Sequence, residues 1–357
     1  MSTTTNLKAP RHLRGYTIIE MMVAVTISLI ILAALVTLFA GNSRQRAQIA
    51  LTNQQTENGR YALQIIGDDL RDAGYFATFN PGTVTAPNAQ LIVPAALPDP
   101  CATDVPTLNN AVAIAVQGYD DGVNAPACLP ADLRGGTDIL VVRRASTCAV
   151  GAAGCDPQAA GDIYLQTSGC TAEFAAGNYY ALDSNTAALN LHRKDCVTAG
   201  LLYQYRTHIY FVANNDKAND GIPTLKRREL GVAGQPGNIV PLVEGIENLQ
   251  IEYGLDTATP TTGTPAAYTA DPSSYNGCTA ATIPTCVAYW RNTVAAKIYV
   301  LARNLTTTQG YTDTKSYTLG QTAAGAANTV GPFNDGYKRH VYESAARLNN
   351  LAYRNSP

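Results

Sequence analysis

Charge is scarce in this chain of 357 residues, with Asp, Glu, Lys and Arg together making up only 15% of it. Gly, Ala, Thr and Pro are plentiful instead, a composition that suits a loop-rich β protein rather than a charged helical bundle or a disordered tail. The four histidines, His12, His192, His208 and His340, show no paired-ligand spacing. No CxxC pair, G-x-S-x-G elbow, P-loop or dinucleotide fingerprint occurs, so nothing points to thiol redox, covalent or nucleotide chemistry. The oxygen-rich stretch from Asn214 to Gly221 lacks the alternating acids and closing glutamate of a calcium loop and reads as a hairpin turn. No enzyme activity, cofactor or metal is therefore expected. Basic charge is also missing from most of the molecule. Lys8, Arg11 and Arg14 stand without an acid in the first fifteen residues, and removing them leaves 22 of the 25 basic residues against 27 acidic ones, a balance of −5. Such a body does not attract phosphate backbones, and no nucleic-acid partner is expected.

What the chain does have begins with cysteine. Eight lie beyond residue 100: Cys101, Cys128, Cys148, Cys155, Cys170, Cys196, Cys278 and Cys286. An even number, in probable loops and without metal-type spacing, indicates disulfides in an oxidising compartment. Spacing alone does not assign the bridges; the nearest neighbours, Cys148 with Cys155 and Cys278 with Cys286, are the expected short ones.

From Met21 to Ala40 run twenty residues without a charge, interrupted only by Thr26, Ser28 and Thr37. At helical rise they cover the ~30 Å core of a bilayer. The basic cluster before them places the amino terminus in the cytoplasm and the large carboxy-terminal body outside. The run is longer than a secretory signal's apolar stretch and no A-x-A site follows it, so it is expected to remain as an anchor. Its flank, Gly15-Tyr16-Thr17-Ile18-Ile19-Glu20, puts a small residue after the basic leader and one carboxylate at the edge of the apolar run. A carboxylate there needs a partner.

That junction resembles the class III prepilin signal, with Tyr16 and Ile18 where the usual pattern has Phe and Leu. The resemblance implies cleavage after Gly15 by a prepilin peptidase on the cytoplasmic face, methylation of the new terminus at Tyr16, and retention of the helix. The freed ammonium of Tyr16, in the same subunit or a neighbour, would then pair with Glu20 during subunit assembly.

After Gly41 the sequence is polar but helix-compatible to Asp72, with no proline. Leu63, Ile66, Leu70 and Ala73 form a stripe that should face a sheet, and Gly74 is the expected stop. Asp68 and Asp69 read as a solvated face. Beyond Tyr75, short apolar runs at 137–144, 162–167, 205–212, 246–253 and 294–303 read as strands, clearest where Leu249, Ile251 and Tyr253 alternate with polar residues. Long Gly/Pro/Thr/Ala-rich insertions at about 77–112, 145–161, 256–293 and 320–336 are expected as exposed loops pinned by cystines.

Several segments resemble PilW-type minor pilins: Glu57-Asn58-Gly59-Arg60, Asp68 to Tyr75, Gly118-Tyr119-Asp120-Asp121-Gly122, Gly135 to Arg144, Val243 to Gln250, and the Tyr-rich region from Lys338 to Arg354. The resemblance implies an α+β, pilin-like fold. It would have a leader (1–15), one long helix (16–74, transmembrane about 21–40) and a β-rich extracytoplasmic headpiece (75–357) with an antiparallel sheet. It further implies a subunit that primes type IV pilus assembly in the inner membrane and then lies at or near the pilus tip. Its partners would be other minor pilins, the major pilin, prepilin peptidase and membrane lipid. A J-type pseudopilin of type II secretion and a pilus-tip adhesin are the alternatives.

Overall fold

The computed structural model describes residues 15–79, 94–278 and 283–355. The leader residues Lys8, Arg11 and Arg14, and His12, lie outside them. The chain divides into two compact units, residues 1–52 and 53–357. The first contains the apolar part of α1 (Ile18–Asp72), whose side chains from Met21 to Phe39 are exposed.

The second unit holds the end of α1 and all the strands. In chain order these elements are α2 (Val105–Ala111), β1 (Val116–Tyr119), β2 (Ile139–Ala149), β3 (Tyr164–Thr167), α3 (Thr171–Ala175), β4 (Tyr180–Asp183), β5 (Leu202–Ala213), β6 (Thr224–Leu230), β7 (Asn238–Glu244), β8 (Ile246–Leu255), β9 (Ala267–Thr269), α4 (Ile283–Arg291), β10 (Thr293–Arg303), β11 (Tyr317–Gln321), β12 (Ala327–Val330), β13 (Arg339–Arg347) and α5 (Asn349–Asn355). One antiparallel sheet runs β1-β2-β5-β3-β4, with β6 on β5 and β7 on β6. The second runs β13-β10-β8-β9, and β11 pairs with β12 alone. The architecture is α+β: a long helix whose last turns pack on antiparallel sheets, with four disulfides.

Five strands lie where alternation and β-branched residues place them. The polar hydrogen-bonded turn at Asn214–Gly221 joins β5 to β6 as a hairpin. The helix stripe buries Ala62, Ile66, Leu70 and Ala73 against the same core as Leu249, Ile251 and Tyr253. Leu63 is only half-buried, because the inward face is centred one residue earlier. Gly74 ends the helix at φ +68, and its N–H reaches Arg143 O at 3.0 Å.

The insertions differ from expectation. Of residues 145–161, the part up to Ala149 completes β2, with Ala145 buried, and the remainder forms an exposed tip closed by Cys148–Cys155. Residues 256–293 instead supply β9 and α4 and bury Trp290 edge-on to Tyr253, with ring centroids 4.7 Å apart. Residues 320–336 carry no cysteine and belong largely to the β11–β12 hairpin. That hairpin covers the polar face of β8, where Asn328 Nδ2 donates to Gln250 Oε1 at 3.0 Å. Of 77–112, residues 80–93 lie outside the described segments, and α2 with the buried Val112 and Ala113 follows them.

The eight cysteines form Cys101–Cys128, Cys148–Cys155, Cys170–Cys196 and Cys278–Cys286. The two short bridges are the nearest-neighbour pairs.

Candidate functional site

Gly15, Tyr16 and Thr17 precede the first helical turn in non-helical conformation, and Tyr16 is 90% exposed. Among the described residues nothing lies within 4 Å of a Cβ placed on Gly15. Thr17 is the N-cap. Its hydroxyl oxygen accepts from Glu20 N–H at 3.2 Å, and Glu20 Oε2 accepts in return from Thr17 N–H and from the hydroxyl, both at 3.0 Å. This is a capping box, in which two orphan donors of the helix end are satisfied reciprocally and a carboxylate faces the positive end of the helix dipole. The local cap adds to the pairing with the Tyr16 ammonium expected from the sequence, and its signal is the T-x-x-E spacing from Thr17 to Glu20.

The three polar residues of the apolar run are satisfied within the helix. Thr26 donates to Val23 O at 2.8 Å, Ser28 to Ala24 O at 2.7 Å and Thr37 to Ala34 O at 2.8 Å. None has an outstanding hydrogen bond, which is what a hydrocarbon environment requires.

Inside the headpiece, the end of α1 is held by polar groups as well as by its stripe. Gln55 Nε2 donates to Ala302 O and Lys338 O, each at 2.8 Å, and Asn58 Nδ2 donates to Glu244 O at 2.9 Å. Gly59 lies flat under the Tyr342 ring, where a Cβ would fall 2.3 Å from the ring's Cδ2.

Asp69 corrects the solvated-face reading. Asp68 is exposed and pairs with Arg71, but Asp69 is 5% exposed. It accepts from Arg144 Nε (2.7 Å), His208 Nδ1 (2.7 Å) and the Tyr210 hydroxyl (2.9 Å). Burial would raise its pKa, but the hydrogen bonds and positive charge of His208 and Arg144 outweigh burial and hold it well below the usual carboxylate range. The signal was present, since Asp69 lies three residues after Ile66 and four before Ala73, on the stripe itself.

A second buried network centres on Glu247, in the segment Val243 to Gln250. It meets Arg134 at 2.8 Å, Arg303 at 3.8 Å and Arg339, and Arg339 continues to Asp313 at 2.9 Å and Asp335 at 2.7 Å. These groups are locked in mutual pairs, so they fix strand positions rather than present chemistry to a substrate. Among the described residues, Asp120, Asp121 and Asp138 form a group able to hold a metal ion.

Residues 209–350 match the family model described as Type IV Pilus-assembly protein W. Residues 10–36 match the Prokaryotic N-terminal methylation motif. The first match runs from within β5 to the start of α5 and contains Glu247, Arg303 and Arg339; the second contains Gly15, Tyr16 and Glu20. No curated protein matches the chain. Among solved structures, the type IV-like pilin TTHA1219 from Thermus thermophilus is similar at a TM-score of 0.34 and 13% identity, covering 83% of this chain and 96% of that one. The match over residues 209–350 and the methylation motif at the start of one helix long and apolar enough to cross a membrane together support a minor pilin of the PilW type with a class III prepilin signal.

Proposed function

We propose that this minor pilin primes assembly of a type IV pilus at the inner membrane and then occupies a place at or near the tip, catalysing no reaction. It associates with other minor pilins and with the major pilin through its apolar helix, while the headpiece selects neighbours. The carrying observation is that helix: from Met21 to Ala40 it is uncharged, its side chains are exposed, and its hydroxyls bond to its own carbonyls. Such a rod is compatible with lipid before assembly and with sister helices afterwards.

The leader is residues 1–15, the helix 16–74 and the headpiece 75–357. The basic leader lies in the cytoplasm, the single span crosses the inner membrane, and the headpiece is periplasmic until the subunit enters the pilus. Prepilin peptidase cuts between Gly15 and Tyr16, and Tyr16 becomes the methylated terminus. Because Thr17 N–H already bonds to Glu20, cleavage generates the Tyr16 ammonium one residue before the amide that this carboxylate holds. In isolation the pair shields Glu20 locally; in a filament a neighbour's terminus takes the same role.

The test is a strain carrying either no copy of the gene or the Glu20→Ala form. Pilus number and twitching should fall sharply without the protein, and Glu20→Ala subunits should be membrane-inserted yet depleted from sheared filaments. Normal piliation without the protein overturns the priming role, and normal incorporation of Glu20→Ala overturns the pairing role.

A further inference from the structure

The segment Gly118 to Gly122 and the start of β2 meet at one corner of the first sheet. Asp120 and Asp121 occupy the turn that follows β1, with Asp121 at φ +52. Asp138 immediately precedes β2, and the pairing of Tyr119 with Ile139 brings it beside that turn. One carboxylate oxygen from each of Asp120, Asp121 and Asp138 lies within 4.8 Å of the others.

Asp138 is 1% exposed. Its Oδ1 accepts from Asp121 N–H at 2.9 Å and its Oδ2 from Ile251 N–H at 2.7 Å, while its own N–H donates to Leu249 O at 2.8 Å. It therefore stitches the β1–β2 corner of one sheet to β8 of the other. The charges acting on Asp120 are those of two further acids, Asp121 and Asp271. Asp121 is exposed, Asp120 half-buried and Asp138 buried, so three mutually repelling carboxylates lead from the surface into the joint.

Two oxygens at this joint have no hydrogen-bond partner. One is Asp120 Oδ1, a buried atom on a half-exposed side chain. The other is independent of the acids: the hydroxyl of Tyr253, a residue 1% exposed. It points at the backbone of Gly118, two residues before Asp120, so closely that a Cβ there would lie 1.9 Å away. It is also close enough to Asp138, Asp271 and Asp120 to feel their negative charge. A buried hydroxyl left without a partner is costly unless the water of a bound ion reaches it.

We propose that Asp120, Asp121 and Asp138 form a calcium site that clamps the β1–β2 corner onto β8, with the Tyr253 hydroxyl in its outer shell. The donors are all hard oxygens, with no imidazole or thiolate among them, which favours calcium or magnesium over zinc or copper. An irregular turn with one left-handed residue suits the flexible, higher coordination of calcium better than the strict octahedron of magnesium. The sequence hid the site because residues 120–121 and 138 are joined only by strand pairing.

The test uses the full chain in detergent micelles, stripped with chelator and titrated with CaCl2 or MgCl2 while thermal unfolding is followed. Calcium should raise the melting temperature by several degrees with a midpoint of about 10⁻⁴–10⁻³ M, the range of extracellular modules. Magnesium at the same concentrations should have little effect. The double variant Asp120→Asn/Asp121→Asn keeps Asp138 and its backbone bonds, so it should fold in chelator at least as stably as the parent and lose the calcium response. The absence of a calcium shift in the parent, or an undiminished shift in the double variant, overturns the site; an equal magnesium shift overturns its assignment to calcium.

Discussion

Adjacent aspartates on α1 offer a sharp comparison, because one helical step separates a solvated pair from a buried one. Asp69→Ala removes the acceptor for Arg144, His208 and Tyr210 at once. All three donors would be left in a site with little access to water. Each hydrogen bond to the charged group is worth about 1.5–3 kcal/mol singly. The three share one carboxylate and do not add, so the cost of breaking a buried ion pair, about 3–5 kcal/mol, is the better measure. Asp68→Ala loses only an exposed pair with Arg71 and should cost under about 1 kcal/mol. Chemical denaturation of the full chain in micelles, for parent and both variants, reads the difference. The sign with pH follows from the lowered pKa of Asp69 against an ordinary value of 3.8. Its contribution is complete above that value and is lost as pH falls below it toward the depressed native value. The gap between parent and Asp69→Ala should therefore narrow as pH falls below about 4. Equal costs for the two alanine variants, or a gap that widens in acid, would refute the reasoning.

Other consequences can be checked on the same protein. Gly59→Ala should destabilise it despite the roughly 1 kcal/mol helix-propensity gain, because the new methyl meets Tyr342, and the effect should reverse sign in a Tyr342→Ala background. Gly67→Ala, where a Cβ meets only the tip of Arg71 at 3.9 Å, should stabilise it by about 0.5–1 kcal/mol in the same denaturation assay. Replacing Cys170 and Cys196 by Ser should cost about 3.5 kcal/mol and replacing Cys148 and Cys155 about 2.5 kcal/mol, following sequence separations of 26 and 7. Equal losses would show that loop closure is not what these bridges contribute.

The first forty residues were legible because their information is linear: an uncharged run, a basic flank and a Gly-Tyr junction lie next to one another in the chain. Gly74 was legible for the same reason, as was the alternation of Leu249, Ile251 and Tyr253. Asp69 departs from the solvated-face expectation because its phase relative to Ile66 and Ala73 turns it inward while Asp68 faces solvent. The β11–β12 hairpin was missed since Thr, Gly and Ala give little alternation. Its place is set by what it covers, the polar side chains Asn248, Gln250 and Glu252 of β8, all buried. The Glu247 network and the Asp120–Asp138 joint depend on strand pairings between distant segments, and no local pattern encodes those.

The central claim is that the apolar helix is trimmed at its cytoplasmic end and retained for assembly. Intact-mass and terminal-peptide mass spectrometry of the mature protein from cells measures this directly. The account predicts a chain that starts at Tyr16 with a methylated amine and keeps every residue through Ala40. A start at Met1, or a cut downstream of Ala40, would contradict it.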